Sequence, residues 1–268
     1  MNRIDSTFQT LRASGRKALV AYLVAGDPDL DTTVELILEL EAAGADLIEL
    51  GLPFSDPLAD GLVNQLGAQR ALNAGATLDK IFQMIRTVRA RTEVPLVLFT
   101  YFNPVFRLGV DRFSSQAVDA GVDGILVLDL PPEEVAREWI FPDSLRRIAL
   151  IAPTTPPERI ASICKHSSGF IYYVSREGVT GMQEALPPDI ARPLAAIKAH
   201  TDVPVCVGFG ISNPQQAAAV ARFADGVVVG SAIVHRIGEK GRSSELLHTI
   251  HSFVRPLADA VHQAGVPS

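Results

Sequence analysis

Three acidic side chains stand close together in this chain. Glu49 lies in the strand-like run "DLIEL", and Asp56 and Asp60 lie in the loop-like run "PFSDPLADGL" that follows it. Strand alternation puts Asp46, Ile48 and Leu50 on one side and Leu47, Glu49 and Gly51 on the other, so Glu49 points toward an enclosed interior. A carboxylate held there resists ionisation and becomes useful as a general acid or base near neutral pH. The other reading is a structural ion pair with an arginine of a neighbouring strand, and the spacing leaves both open. Asp56 before Pro57 reads first as a turn or helix cap, and Asp60 before Gly61 as a turn residue. Asp129, ending an apolar run, either orients a loop or touches a substrate.

Two glycine turns supply a second kind of chemistry. "GFGIS" (Gly208 to Ser212) and "GSAIV" (Gly230 to Val234) each pass from a strand end into a helix start. Glycines let the backbone come close to a ligand, and free amides at a helix N-terminus attract an anion, so the pair reads as a phosphate seat. "SREGVTG" adds Gly178 and Gly181. The lysines (Lys17, Lys80, Lys165, Lys198, Lys240) fall at strand starts, in helices or beyond them, which argues against a Schiff-base aldolase. The histidines sit in helical or post-helical segments, and no metal site is expected; His248 and His251 read as an outer-helix surface pair. What remains is carboxylate acid–base chemistry on a phosphorylated substrate.

Such residues must be positioned by a scaffold, and the chain spells one out. Eight β-rich runs (Ala18 to Val24, Asp46 to Leu50, Pro95 to Tyr101, Gly124 to Asp129, Ile148 to Ala152, Phe170 to Val174, Val203 to Val207, Gly226 to Val229) alternate with helical segments. Across 268 residues that is about 33 per unit, the span of a strand plus a crossover helix. "EAAGADLIEL", "DAGVDGILVL" and "ARFADGVVVG" repeat one pattern: a helix tail, a small residue or glycine, and an aspartate ahead of a strand. The expected fold is α/β, a single (β/α)8 TIM barrel spanning residues 1–268, with Met1 to Ser14 as an extra helix closing the barrel bottom. An open doubly wound sheet is the alternative, and "VAGDPDL" in place of a GxGxxG turn after the first strand speaks against it.

Composition bounds the rest. With 24 Lys+Arg against 30 Asp+Glu the net charge is −6, which disfavours nucleic-acid binding through phosphate neutralisation. Two cysteines, Cys164 and Cys206, make neither a disulfide framework nor a Cys-rich metal site. The N-terminus lacks the apolar core of a signal peptide, and no apolar run approaches the roughly 20 residues of a membrane helix, so a cytoplasmic location without membrane association is expected.

The segments "GDP" (Gly26 to Pro28), "IELGLPFSDPLADG" (Ile48 to Gly61), "YFNPVF" (Tyr101 to Phe106), "VSREGVTG" (Val174 to Gly181), "GFGIS" and "ADGVVVGSAIV", in this order over nearly the whole chain, resemble the tryptophan synthase alpha subunit family. The resemblance implies retro-aldol cleavage of indole-3-glycerol phosphate to indole and glyceraldehyde 3-phosphate. It assigns Glu49 the acid–base role and Asp60 the ring N–H. Tyr22, Tyr101, Tyr172 and Thr180 match substrate-binding positions, and Gly181, Phe209, Gly210, Gly230 and Ser231 the phosphate cradle. Phe99, Leu128 and Ile151 are expected, from strand position, to line the indole pocket. The resemblance also implies an alpha2beta2 complex with a beta subunit that carries pyridoxal phosphate, this chain needing no cofactor of its own. Pro53, Asp56, Pro57, Asn103 and Pro104 then belong to partner-facing loops, and loop closure gates the chemistry. Leu62, where the family usually has proline, and Glu177, where a small residue is common, depart from the pattern. Three other functions stay open at this point: a stand-alone indole-releasing lyase, a catalytically weak activator of the beta subunit, and another phosphate-binding barrel isomerase.

Overall fold

The computed structural model of the chain describes residues 1–131, 134, 139, 142–174, 190–208 and 210–265. Eight parallel strands close into a barrel in chain order, the last pairing back onto the first. They are β1 (Ala18–Val24), β2 (Leu47–Gly51), β3 (Leu96–Thr100), β4 (Gly124–Val127), β5 (Arg146–Ile151), β6 (Ile171–Val174), β7 (Val205–Gly208) and β8 (Gly226–Val229). The open-sheet alternative therefore falls. β1 and β8 have the expected bounds, and the others differ from expectation by one or two residues at an end.

Among the described residues eleven helices accompany the strands: α1 (Arg3–Ala13), α2 (Leu30–Ala42), α3 (Leu62–Asn73), α4 (Leu78–Arg89), α5 (Phe102–Leu108), α6 (Val110–Ala120), α7 (Pro157–Lys165), α8 (Ala191–Lys198), α9 (Pro214–Ala221), α10 (Ser231–Lys240) and α11 (Leu246–Gln263). Their boundaries have local causes. Asp29 caps α2 by accepting from Thr32 N at 2.8 Å, and Gly44, at φ +103°, takes the chain out of it where a residue with a Cβ would be strained.

Two apolar layers fill the fold. Outward strand residues such as Leu19, Ile48, Leu98 and Val227 pack against the helices. Inward residues Ala18, Val20, Leu47, Val97, Leu126, Ile148, Phe170, Cys206 and Val228 fill the lower barrel, and Ile4, Phe8 and Leu11 of α1 join them. The N-terminal helix thus plugs the end where strands begin, as the sequence suggested, and its Phe8 ring lies 6.0 Å from that of Phe170. The space left for a ligand is at the other end.

The repeated aspartate ahead of a strand has one job in three places. Asp46 accepts from Leu19 N at 2.8 Å, Asp123 from Leu96 N at 2.9 Å and Asp225 from Val205 N at 3.0 Å. Each satisfies a strand-start amide that its own ladder leaves without a partner, and so sets where adjacent strands begin. Cations hold these carboxylates in turn: Arg89 bonds Asp123 at 2.6 Å, and Lys198 bonds Asp225 at 2.9 Å. No helix among the described residues is long and apolar enough to cross a membrane.

Candidate active site

A cavity of about 370 Å³ opens at the carboxyl ends of the strands, where a barrel of this kind collects its loop residues. Glu49 forms part of its wall, standing on β2 between Tyr22 of β1 and Val97 of β3. Only 1% of Glu49 is exposed, and its Oε1 has no hydrogen-bond partner. The alternative of a structural ion pair with a strand arginine is not realised. Burial pushes its carboxyl up to about 8, so it keeps a proton at neutral pH.

Asp60 reaches the same cavity from the loop between β2 and α3. Tyr101 Oη donates to Asp60 Oδ2 at 2.9 Å and accepts from Ala59 N at 2.9 Å, so one phenol fixes both the carboxylate and the loop backbone beside it. Burial raises the Asp60 carboxyl above its ordinary range, while hydrogen bonds from Tyr101 and Asn64 pull it back. The two acids therefore differ in kind. Glu49 has nothing to favour its ionised form, and Asp60 has two donors that do.

Tyr22, Phe99, Leu128 and Tyr172 line the cavity as expected. Tyr22 and Phe99 meet edge to face, centroids 5.3 Å apart. Glycines make room for the phenols: a Cβ at Gly51 would run into the Tyr22 hydroxyl, and one at Gly208 into the Tyr172 hydroxyl. Ile151 is a correction. Leu150 pairs with the inward Tyr172 and lines the cavity, whereas Ile151 pairs with Tyr173 and packs outward against the helices. Alternation along β5 turns Ile148 and Leu150 inward and Ala149 and Ile151 outward, and the observed start two residues earlier leaves that phase unchanged.

Gly210 after β7 and Gly230 and Ser231 after β8 line the same cavity. Gly210 has φ +74°, and Ser231 opens α10, whose first-turn amides and dipole favour an anion. Among the described residues no lysine or arginine lines the cavity. Thr180, Gly181 and Phe209 lie outside the described residues, as do Gly178 and Glu177. Asp129 serves a loop, accepting from Phe102 N at 2.6 Å at the start of α5.

The loops expected to face a partner lie side by side, Pro53 and Pro104 lining one small cleft. Asp56 and Asn103 are exposed and Pro57 is half-buried. Nearby Leu58 and Phe106 show 88% and 69% of their surfaces.

The geometry has close relatives. A family model described as "Tryptophan synthase alpha chain" matches residues 8–262. The chain belongs to this family. It is 51% identical over 263 residues to the tryptophan synthase alpha chain of Citrifermentans bemidjiense, covering 97% of this chain and 98% of that one. With the alpha chain of Geotalea uraniireducens it shares 50% identity, covering 99% and 100%. A crystal structure of tryptophan synthase subunit alpha from Legionella pneumophila superposes with a TM-score of 0.85 at 39% identity, covering 97% and 98%. A structure of Mycobacterium tuberculosis tryptophan synthase gives 0.86 at 35%, covering 97% and 98%.

Sequence reasoning about the alpha chain family missed Asn64, which lines the cavity beside Asp60. A signal was present. Asn64, Gly67, Ala68 and Ala71 form the buried stripe of α3 at helical spacing, and an amide at the head of an otherwise small and apolar stripe marks a polar group with a task. Ala152, Pro153 and Thr154 of the loop after β5 were missed too; they carry no comparable mark. Among the described residues no group of three or more His, Cys, Asp or Glu stands together to hold a metal.

Proposed function

We propose that Glu49 and Asp60 carry the retro-aldol cleavage of indole-3-glycerol phosphate. As a member of the tryptophan synthase alpha chain family the chain is a lyase of tryptophan biosynthesis, and the burial of an unpaired, protonated Glu49 in the cavity that Asp60 also lines is the observation that supports this assignment most directly. Glu49 gives its proton to ring carbon C3, and positive charge spreads to the ring nitrogen. The bond from C3 to the glycerol carbon then breaks, and its electron pair restores the aromatic ring. The proton of the adjacent glycerol hydroxyl leaves to the Glu49 carboxylate as that carbon becomes the aldehyde of glyceraldehyde 3-phosphate, so the acid ends as it began.

Asp60, ionised and held by Tyr101 and Asn64, accepts from the ring N–H and gains strength as the nitrogen becomes positive, which is stabilisation specific to the transition state. Tyr22, Phe99, Leu128 and Leu150 enclose the ring. Gly210, Gly230 and Ser231 take the phosphate. The released indole passes to a beta subunit that holds pyridoxal phosphate in an alpha2beta2 assembly, with the loops around Asp56, Pro57, Asn103 and Pro104 facing it. The exposed Leu58 and Phe106 support that surface. A cytoplasmic location belongs to the same reading.

The test is indole release from indole-3-glycerol phosphate by the purified chain, with and without added beta subunit. Slow release alone and strong activation by the partner is the expected result. Fast release without the partner would make this a stand-alone lyase, and no release under either condition would leave it an activator only. Glu49→Gln should abolish turnover and keep substrate affinity; surviving turnover would remove Glu49 from its role.

A further inference from the structure

The cavity wall holds two buried side-chain oxygens without a hydrogen-bond partner. One is Glu49 Oε1, and the other is Asn64 Oδ1. Asn64 is 7% exposed and sits in the first turn of α3, four residues beyond Asp60. Its amide acts on the Asp60 carboxylate as a donor, drawing that carboxyl down. That influence fixes which end of the amide is which, because turning it over would set its oxygen against the carboxylate lone pairs. The oxygen is thereby committed to stand beside Asp60 with nothing to accept from. An orphaned buried acceptor is costly and calls for an explanation, and an apolar side chain of the same size would fill the head of the Gly67, Ala68 and Ala71 stripe without that cost. A donor delivered by the ligand supplies the explanation.

We propose that Asn64 is a positioning and specificity residue of this site, holding the Asp60 carboxylate through its amide nitrogen and offering its carbonyl as a second acceptor to the ring N–H of the substrate. The inference rests on the assignment of the ring nitrogen to Asp60. The nitrogen edge of the ring then meets two acceptors in place of one. When C3 takes its proton the N–H becomes a stronger donor, so both acceptors favour the charged ring over the neutral one and act on kcat more than on KM. A bicyclic ring of the same shape without an N–H leaves both acceptors buried and unpaired, and the site rejects it for that reason.

The test uses the full-length chain and two probes, indole and indene, which replaces the N–H by a methylene at nearly constant shape. Calorimetric titration gives the ratio of their affinities without any turnover. Asn64→Leu is expected to reduce the preference for indole by about tenfold, the loss of one neutral hydrogen bond. With indole-3-glycerol phosphate it should lower kcat by about tenfold or more while KM moves less than about threefold. Asn64→Ala, which adds no apolar bulk, is measured beside it, and unchanged affinity for glycerol phosphate at the glycine end shows that each variant is folded. An indole-to-indene ratio equal to that of the parent in both folded variants, with Asp60→Asn alone reducing it, would overturn the proposal. If the parent binds indole selectively yet releases none from the phosphorylated substrate, the lyase assignment falls while the ratio still decides the role of Asn64.

Discussion

Replacing Glu49 by glutamine should make the fold gain stability over the parent as pH rises from 5 to 7.5, while it removes turnover. The carboxyl ionises near its ordinary value of 4.5 in the unfolded chain and near 8 in the folded one. As pH rises between those values the unfolded state gives up its proton and the folded state keeps it, so stability is progressively lost across that window and levels off above it. Each pH unit inside the window is worth about 1.4 kcal/mol. From pH 5 to pH 7.5 the cost grows by about 3 kcal/mol, an upper figure because water entering the cavity relieves an ionised carboxylate. Glutamine carries a buried amide that also lacks partners, which costs about 1–3 kcal/mol, but this does not titrate and cancels when the two pH values are compared. At about 2 °C per kcal/mol for a chain of this size, the variant should gain about 6 °C in Tm over the parent at pH 7.5 relative to pH 5. Thermal unfolding followed by circular dichroism at both values measures it. A Tm difference between variant and parent that is the same at the two pH values would refute the argument, because it would mean that Glu49 ionises alike in both states.

The same proton governs catalysis: kcat/KM should hold up to about pH 8 and then fall about tenfold per unit as Glu49 ionises, read from initial rates of indole release. On the acid side activity should fail as Asp60 takes up a proton, at a pH above the ordinary aspartate range. Tyr101→Phe, which removes a donor to that carboxylate, should move this limb to higher pH and lower kcat/KM by about tenfold. With the proposed phosphate seat of Gly210, Gly230 and Ser231, beside which no described lysine or arginine lines the cavity, KM should change less than about twofold between low and moderate ionic strength in steady-state assays, where a lysine-lined seat would show a clear rise. Asp123→Ala should cost about 3–5 kcal/mol in urea denaturation, since it leaves Arg89 and the Leu96 amide without their partner.

The barrel was legible because its instructions are local and repeated. Alternating runs, glycines at helix ends and the aspartates of "GADLIEL", "GVDGILV" and "FADGVVV" each act on the strand beside them, so a reader of the sequence needs no distant information to place them. The inward direction of Glu49 followed from the same alternation, and the cavity of apolar wall residues around it explains why no cation was needed. Ile151 was expected in the pocket from its position near the strand end alone; alternation from the inward Ile148 puts Leu150 inside beside Tyr172 and Ile151 outside beside Tyr173. The role of Tyr101 was readable only in part. Its phenol crosses 41 residues of chain to reach Asp60, and no spacing within either segment announces that meeting. Asn64 is legible from helical periodicity, as the polar member of a buried stripe whose other members, Gly67, Ala68 and Ala71, are small.

The division of the acids between a strand and a loop has its own physical logic. Glu49 is fixed by two neighbouring strands and by the packed layer beneath it, so its proton affinity is a property of the barrel. Asp60 owes its place to bonds with few members: its own N–H to Pro57 O at 3.1 Å, Gln65 Nε2 to its carbonyl at 2.7 Å, and the Tyr101 phenol on its carboxylate. Leu58, inside that short arch, is exposed. Any surface that buries Leu58 presses on the arch two residues from the carboxylate, whereas it reaches Glu49 only through the barrel wall. A beta partner seated on these loops would therefore adjust the group that meets the ring nitrogen and leave the proton donor unchanged. The expected signature is partner activation that moves the acid limb of the pH profile and leaves its alkaline limb near pH 8 in place. Movement of the alkaline limb alone on adding the beta subunit would contradict this division.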